Sequence, residues 1–102
     1  MEYTSEMQNH TAVLRLKGHF TFNDNQQFRH ILNMLDQAGT SAMSLNFSQV
    51  DFIDSAALGM LLLLRDEAQT RKITLDLTGA SGQIRKMFEV AKFNIIFQEH
   101  IT

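Results

Sequence analysis

The stretch LNFSQVDFIDSAALGMLLLLR, Leu45 to Arg65, decides how the rest of the chain is read. Leu45 and Phe47 alternate with polar residues, the pattern of a strand whose two faces differ. Ser48 to Ile53 leads to Asp54-Ser55, and from Ala56 the chain continues as a strongly apolar helix, interrupted by Gly59 and closed by charge at Arg65-Asp66-Glu67. Asp and Ser both favour a helix N-cap, because their side-chain oxygens accept the free N–H groups of the first turn. A hydroxyl, Ser55, is therefore predicted where strand becomes helix, at the positive end of the helix dipole.

Outward from this stretch the elements alternate. Upstream, Phe28, Ile31, Leu32 and Leu35 fall at i, i+3, i+4 and i+7, an apolar stripe over two helical turns. Asn23 or Asp24 is its expected cap and Gly39 its stop, with His19 to Phe22 as connector. Thr11 to Lys17 alternates as a strand closed by Gly18, and Glu2 to Met7 reads as an edge strand joined to it antiparallel through Asn9-His10. Downstream of a helix over Ser55 to Thr70, Ile73 to Leu77 alternates again. Ile84, Met87, Phe88 and Ala91 mark a third helix over Ser81 to Ala91, and Ile95-Ile96-Phe97 reads as a short last strand. The order β-β-α-β-α-β-α-β predicts one α/β domain over residues 1–102. Its sheet is expected to be mixed, mostly parallel and of about five strands, with the helices packed on one face.

Composition narrows the function. Nine basic and eleven acidic side chains leave a net charge of −2, which gives no electrostatic case for nucleic acid or an anionic membrane. Cysteine is absent, so disulfides and thiolate chemistry are excluded, in keeping with a reducing cytosol. The N-terminal MEYTSEMQNH is not a secretory signal, and the apolar run Met60 to Leu64 is far short of the roughly 20 residues that span a bilayer. A cytoplasmic protein without membrane insertion is expected.

The helix after Ser55 has more apolar surface than a one-sided helix needs, since Leu58 and Met60 to Leu64 point in nearly every direction. Either other helices flank it on both sides or part of it stays open for a partner. Gly59 costs about 1 kcal/mol against Ala in a helix interior, so close approach of another backbone is expected there. Ser55 itself reads either as a cap or as a phosphoryl acceptor. A phosphate would add roughly −1.5 to −2 charge where the dipole favours anions, sparing the fold and changing what can dock.

Enzymatic alternatives find no support. Ser55 has Ile53 and Ala57 where a G-x-S-x-G elbow needs glycines. His10, His19, His30 and His100 show no metal-ligand spacing, and Gly79 and Gly82 make no phosphate-binding loop. The strand ending Lys17-Gly18-His19 lacks the acidic pair of a phospho-accepting receiver domain. No catalytic residue, metal or cofactor is expected.

The run Asp54-Ser55-Ala56-Ala57-Leu58-Gly59, preceded by Leu45-Asn46-Phe47 and Val50-Asp51-Phe52-Ile53, resembles the STAS domain of bacterial anti-sigma-factor antagonists. The family pattern is D-S-S/T-G-L-G at the start of the second helix, and the element order agrees over nearly the whole chain. The resemblance implies that Ser55 is phosphorylated by a partner that is both anti-sigma factor and serine kinase. A PP2C-type phosphatase would remove the phosphate, and the unmodified form would bind the kinase. It also implies that Asp54 orients the hydroxyl and that Thr21, Asn23, Ala56, Leu58, Gly59 and Leu62 join Asp54 and Ser55 in the docking surface. Ala56 and Ala57 replace the family's second Ser/Thr and its Gly, and Thr21 stands where an acidic contact residue is common. STAS-like domains also serve as constitutive accessory subunits docked on a transporter ATPase, and this is the competing expectation.

Overall fold

The computed structural model describes residues 1–97. Strand β1 (Glu2–Gln8) pairs antiparallel with β2 (Thr11–Phe20) across a tight turn. There Asn9 takes a left-handed φ of 58°, which an Asn tolerates better than most residues. Strand β3 (Ala42–Ile53) lies parallel to β2, and β4 (Thr74–Thr78) lies parallel to β3, so the sheet order is β1-β2-β3-β4. The mixed, mostly parallel sheet is as expected, but it has four strands among the described residues rather than about five.

The difference lies at Ile95 to Phe97. Helix α3 (Gly82–Val90) ends at a turn in which Lys92 adopts φ 62°, and Phe93–Ile96 forms the one-turn helix α4 instead of a strand. Phe93 and Phe97, four residues apart and both buried, tilt against each other at 4.9 Å, while Phe93 stacks on Phe88 at 5.1 Å. Helical spacing of two aromatics outweighs the β preference of the Ile pair, and runs this short do not distinguish the two states by pattern.

Two strands run further than expected, and both extensions point at the same end of the sheet. β2 does not stop at Gly18 but passes through it at φ +90°, with register shifts against β3 between Arg15 and Lys17 and between Gly18 and His19. Such bulges bend a strand without ending it. β3 likewise continues past Phe47, so that Phe20 pairs with Ile53 at the far end of the ladder. The bulged ladder delivers the ends of β2 and β3 side by side.

The helices cover one face. Helix α1 (Asn25–Asn33) is extended by a 3-10 turn at each end, Phe22–Asp24 before it and Met34–Asp36 after it; α2 spans Ser55–Thr70 as expected. From α2, Ala57, Leu61, Leu64 and Ala68 recur at spacings of four, three and four and join the core with Leu14, Leu16, Leu45, Phe47 and Leu77 of the sheet. The same parity turns Arg15, Ser44, Asn46 and Asp76 to the other face.

The far end of α2 is tied down by charge. Arg71 Nε donates to Asp36 Oδ1 at 2.6 Å and one terminal nitrogen donates to Glu67 Oε2 at 2.7 Å. The hydrogen bond from Arg71 holds the Asp36 carboxyl below its ordinary value of 3.8. A depressed folded value stabilises above the unfolded one, and the gain is lost as pH falls through the folded value. Asp36→Asn is therefore expected to lower the melting temperature modestly at neutral pH, because the pair is exposed. The gap to the parent protein should close as the pH drops below about 3.8, measured by thermal melts across pH. A gap that stays constant throughout that acid range would assign the loss to something other than this pair.

Candidate docking site at the start of the second helix

The extended ends of β2 and β3 place Asp54 and the Thr21–Asp24 turn beside each other. Asp54 is extended (φ −104°, ψ 176°) and caps α2, its Oδ1 accepting the Ala57 N–H at 2.8 Å. Its other oxygen accepts the Phe22 N–H at 3.2 Å, and its own N–H donates to the Phe20 carbonyl at 3.3 Å. The cap is thus Asp54, and Ser55 is the first helical residue, exposed to solvent. Each oxygen of Asp54 accepts a backbone N–H group, so the side chain holds the helix start and the loop together.

A second carboxylate organises the loop. Asp24, one of the two expected caps, holds the N-cap position of α1 without a side-chain cap bond. The 3-10 turn before it is capped by Thr21: its Oγ1 accepts the Asn23 N–H at 3.3 Å, while Asp24 Oδ2 accepts the Thr21 N–H at 2.8 Å. These reciprocal bonds form a capping box. Asp24 is buried, and its remaining oxygen takes the Met1 ammonium at 2.9 Å. At the adjoining strand ends, His19 Nε2 lies 3.3 Å from Asp51 Oδ1 and its ring meets the edge of Phe52.

Replacing Asp54 by Ala removes both bonds. A loss of about 1 kcal/mol is expected from the cap alone, read in urea denaturation, with Asp54→Asn losing much less because its amide oxygen still caps the helix. Equal losses for the two would show that the side-chain oxygens at this position do not carry the effect.

Helix α2 is flanked on both sides yet not covered. One groove, of about 590 Å³, runs between α1 and α2 past Phe22, Phe28, Leu32, Ala56, Met60 and Leu63. Another, of about 640 Å³, separates α2 from α3 and is walled by Leu58, Met87 and Val90. Phe22 is 61% exposed, Leu63 47% and Val90 77%, so a rim of large apolar side chains stays open around the helix carrying Ser55. Exposed apolar residues grouped in this way mark interaction surfaces more than scattered ones do.

The expected docking residues divide. Thr21 and Asn23 sit in the loop that Asp54 ties to Ser55; Ala56 and Gly59 line the α1 side and Leu58 the α3 side. Leu62 is half-buried and lines neither groove. Gly59 corrects the expectation of a close backbone: a Cβ built there would meet nothing within 4 Å. The glycine opens the groove instead of filling a contact.

Phe22 and Arg29 belong to this surface, although the sequence does not place them in it, and Leu63 is the part of the over-apolar stretch of α2 that lines it. For Phe22 a signal exists in the pair Phe20 and Phe22. Residues two apart share a face in a strand, but Phe20 ends β2 fully buried and Phe22 begins a 3-10 turn, which points it outward.

A family model described as "Mlab, STAS domain" matches residues 3–98. The chain belongs to the STAS domain family. A STAS-domain containing protein of Pseudomonas aeruginosa is 29% identical to this STAS domain over 86 residues, 84% of each chain. The anti-sigma factor antagonist SpoIIAA in its unphosphorylated form is 27% identical and superposes with a TM-score of 0.71 over 86% of this chain and 82% of that one. The Bacillus cell fate determinant SpoIIAA in its phosphorylated form gives a TM-score of 0.76 at 22% identity, covering 99% of this chain and 89% of that one. The STAS domain of a SulP transporter from Vibrio cholerae shares the fold, with a TM-score of 0.74 at 20% identity over 94% of this chain and 75% of that one. Among the described residues no helix of this STAS domain is long and apolar enough to cross a membrane, and no group of three or more His, Asp or Glu is placed to hold a metal ion.

Proposed function

We propose that this STAS domain is a cytoplasmic, non-catalytic binding module switched by phosphorylation of Ser55. The observation that carries the reading is an exposed serine at the first residue of α2, free of capping duty, on a helix flanked by open apolar grooves. In its unmodified form the module binds a serine kinase of the anti-sigma-factor kind through Thr21, Asn23, Asp54 to Ala56, Leu58 and Gly59. Leu62, from its half-buried position, supports the helix under that surface. The kinase moves the γ-phosphoryl group of ATP onto Ser55 Oγ, leaving ADP and a proton. A PP2C-type phosphatase returns the alcohol with water, releasing inorganic phosphate. The likeness to an anti-sigma factor antagonist solved in both phosphorylation states supports this reading.

The test is intact mass after incubation with the cognate kinase and ATP. A gain of one phosphoryl group is expected in the parent protein and none in Ser55→Ala. A Ser55→Ala protein that still gains that mass overturns the assignment of the acceptor.

A second reading is a constitutive subunit docked on a transporter ATPase; a STAS domain of the same fold occurs in a SulP transporter. Ser55 lines neither groove. Stable co-purification with an ATPase, unchanged by Ser55→Asp, is the outcome that selects it.

A further inference from the structure

The groove between α1 and α2 has two features the fold itself does not use. The first is Gly59, which sits in the interior of α2 at a cost in helix stability, with open space where a methyl group would project. The second is Arg29, on the α1 wall of the same groove. Arg15, Arg65, Arg71 and Arg85 each face a carboxylate, on Glu6, on Asp66, on Asp36 and Glu67, and on Glu89. Arg29 has no ion-pair partner among the described residues, and no carboxylate lines its groove. In a chain with an excess of acidic side chains, an unpaired guanidinium over an apolar trough is a local reversal of charge.

We infer that the α1–α2 groove takes an amphipathic helix of a protein partner, packed closely over Ala56 and Gly59 and carrying a carboxylate that pairs with Arg29. Small residues on α2 admit the backbone of the incoming helix, Phe22 and Leu63 bracket it with apolar contact, and Arg29 fixes its direction and register. A planar guanidinium recognises a carboxylate in bidentate fashion, which selects an acidic flank and rejects a basic one. The inference rests on the binding-module reading and adds the chemistry of the partner.

The probe is a pair of synthetic amphipathic helical peptides with leucines at i, i+3, i+4 and i+7, one flanked by glutamates and the other by lysines. They are titrated into the isotope-labelled full chain and followed by amide shifts. The glutamate peptide is expected to move the amides of Phe28, Arg29, Gly59, Met60 and Leu63, and the lysine peptide to leave them in place. Arg29→Glu should weaken the glutamate peptide at least tenfold, and Arg29→Lys should recover part of that loss. Gly59→Ala separates docking from folding: it should raise the melting temperature, having open space to fill, while weakening the peptide. Shifts confined to Met87 and Val90, equal binding of both peptides, or indifference to Arg29→Glu overturns the inference. Because phosphorylation of Ser55 is read by mass, such a failure leaves the switch standing and removes only the proposed partner chemistry.

Discussion

Phe88→Ala is expected to destabilise this STAS domain by about 4 kcal/mol. Phe88 is 1% exposed, meets Phe47 edge-on at 5.3 Å and stacks on Phe93, so it joins β3, α3 and α4 in one aromatic cluster. A domain of this length has a total stability of about 5 to 15 kcal/mol, so the variant should unfold at a much lower urea midpoint. Its melting temperature should fall by roughly 20 °C. Phe88→Leu keeps most of the volume and should cost about 1 kcal/mol. A small loss for the alanine variant would mean that the cluster relaxes around the vacancy and that α4 is not anchored through it.

The second large effect is on binding. Ser55→Asp should weaken the kinase-type partner about thirtyfold, close to 2 kcal/mol, and Ser55→Ala should leave affinity within about twofold, both measured by calorimetry. The reason is local: a carboxylate at the first residue of α2 stands beside Ala56 at the edge of an apolar groove, where docking would strip it of water. Stability should move the other way, since an anion at a helix N-terminus gains about 0.3 to 1 kcal/mol. Weaker docking in a domain as stable as the parent, or more so, is the signature of a switch that acts at the surface. Equal affinities for the two variants would remove the switch even if Ser55 carries phosphate.

Much of this architecture is legible in the residues, and the illegible parts have identifiable causes. The boundaries of α2 are plain because a cap, a long apolar repeat and a charged end agree. The length of β2 is not, because Gly18 looks like a terminator and serves as a bulge. The short segment Ile95 to Phe97 has the local preference of a strand and the fold of a helical turn, because tertiary packing of Phe93 and Phe97 decides its state. At the site, Ser55 stands out at the strand-to-helix junction, but Asp54 and Ser55 are both cap-forming residues in succession. Only the hydrogen bonds themselves assign the cap to Asp54. Gly59 is ambiguous in another sense, because a helix glycine signals close approach without saying whether the approaching chain is its own.

One carboxylate, Asp54, grips the β2–α1 loop with one oxygen and the first turn of α2 with the other. The loop and the helix start that carries Ser55 are therefore yoked through one side chain. A lesion at Thr21 or Asp24, remote in sequence from the serine, should register as a changed rate of phosphoryl transfer with no alteration to the acceptor itself. On this side of the encounter the docking face would be preset by that single carboxylate.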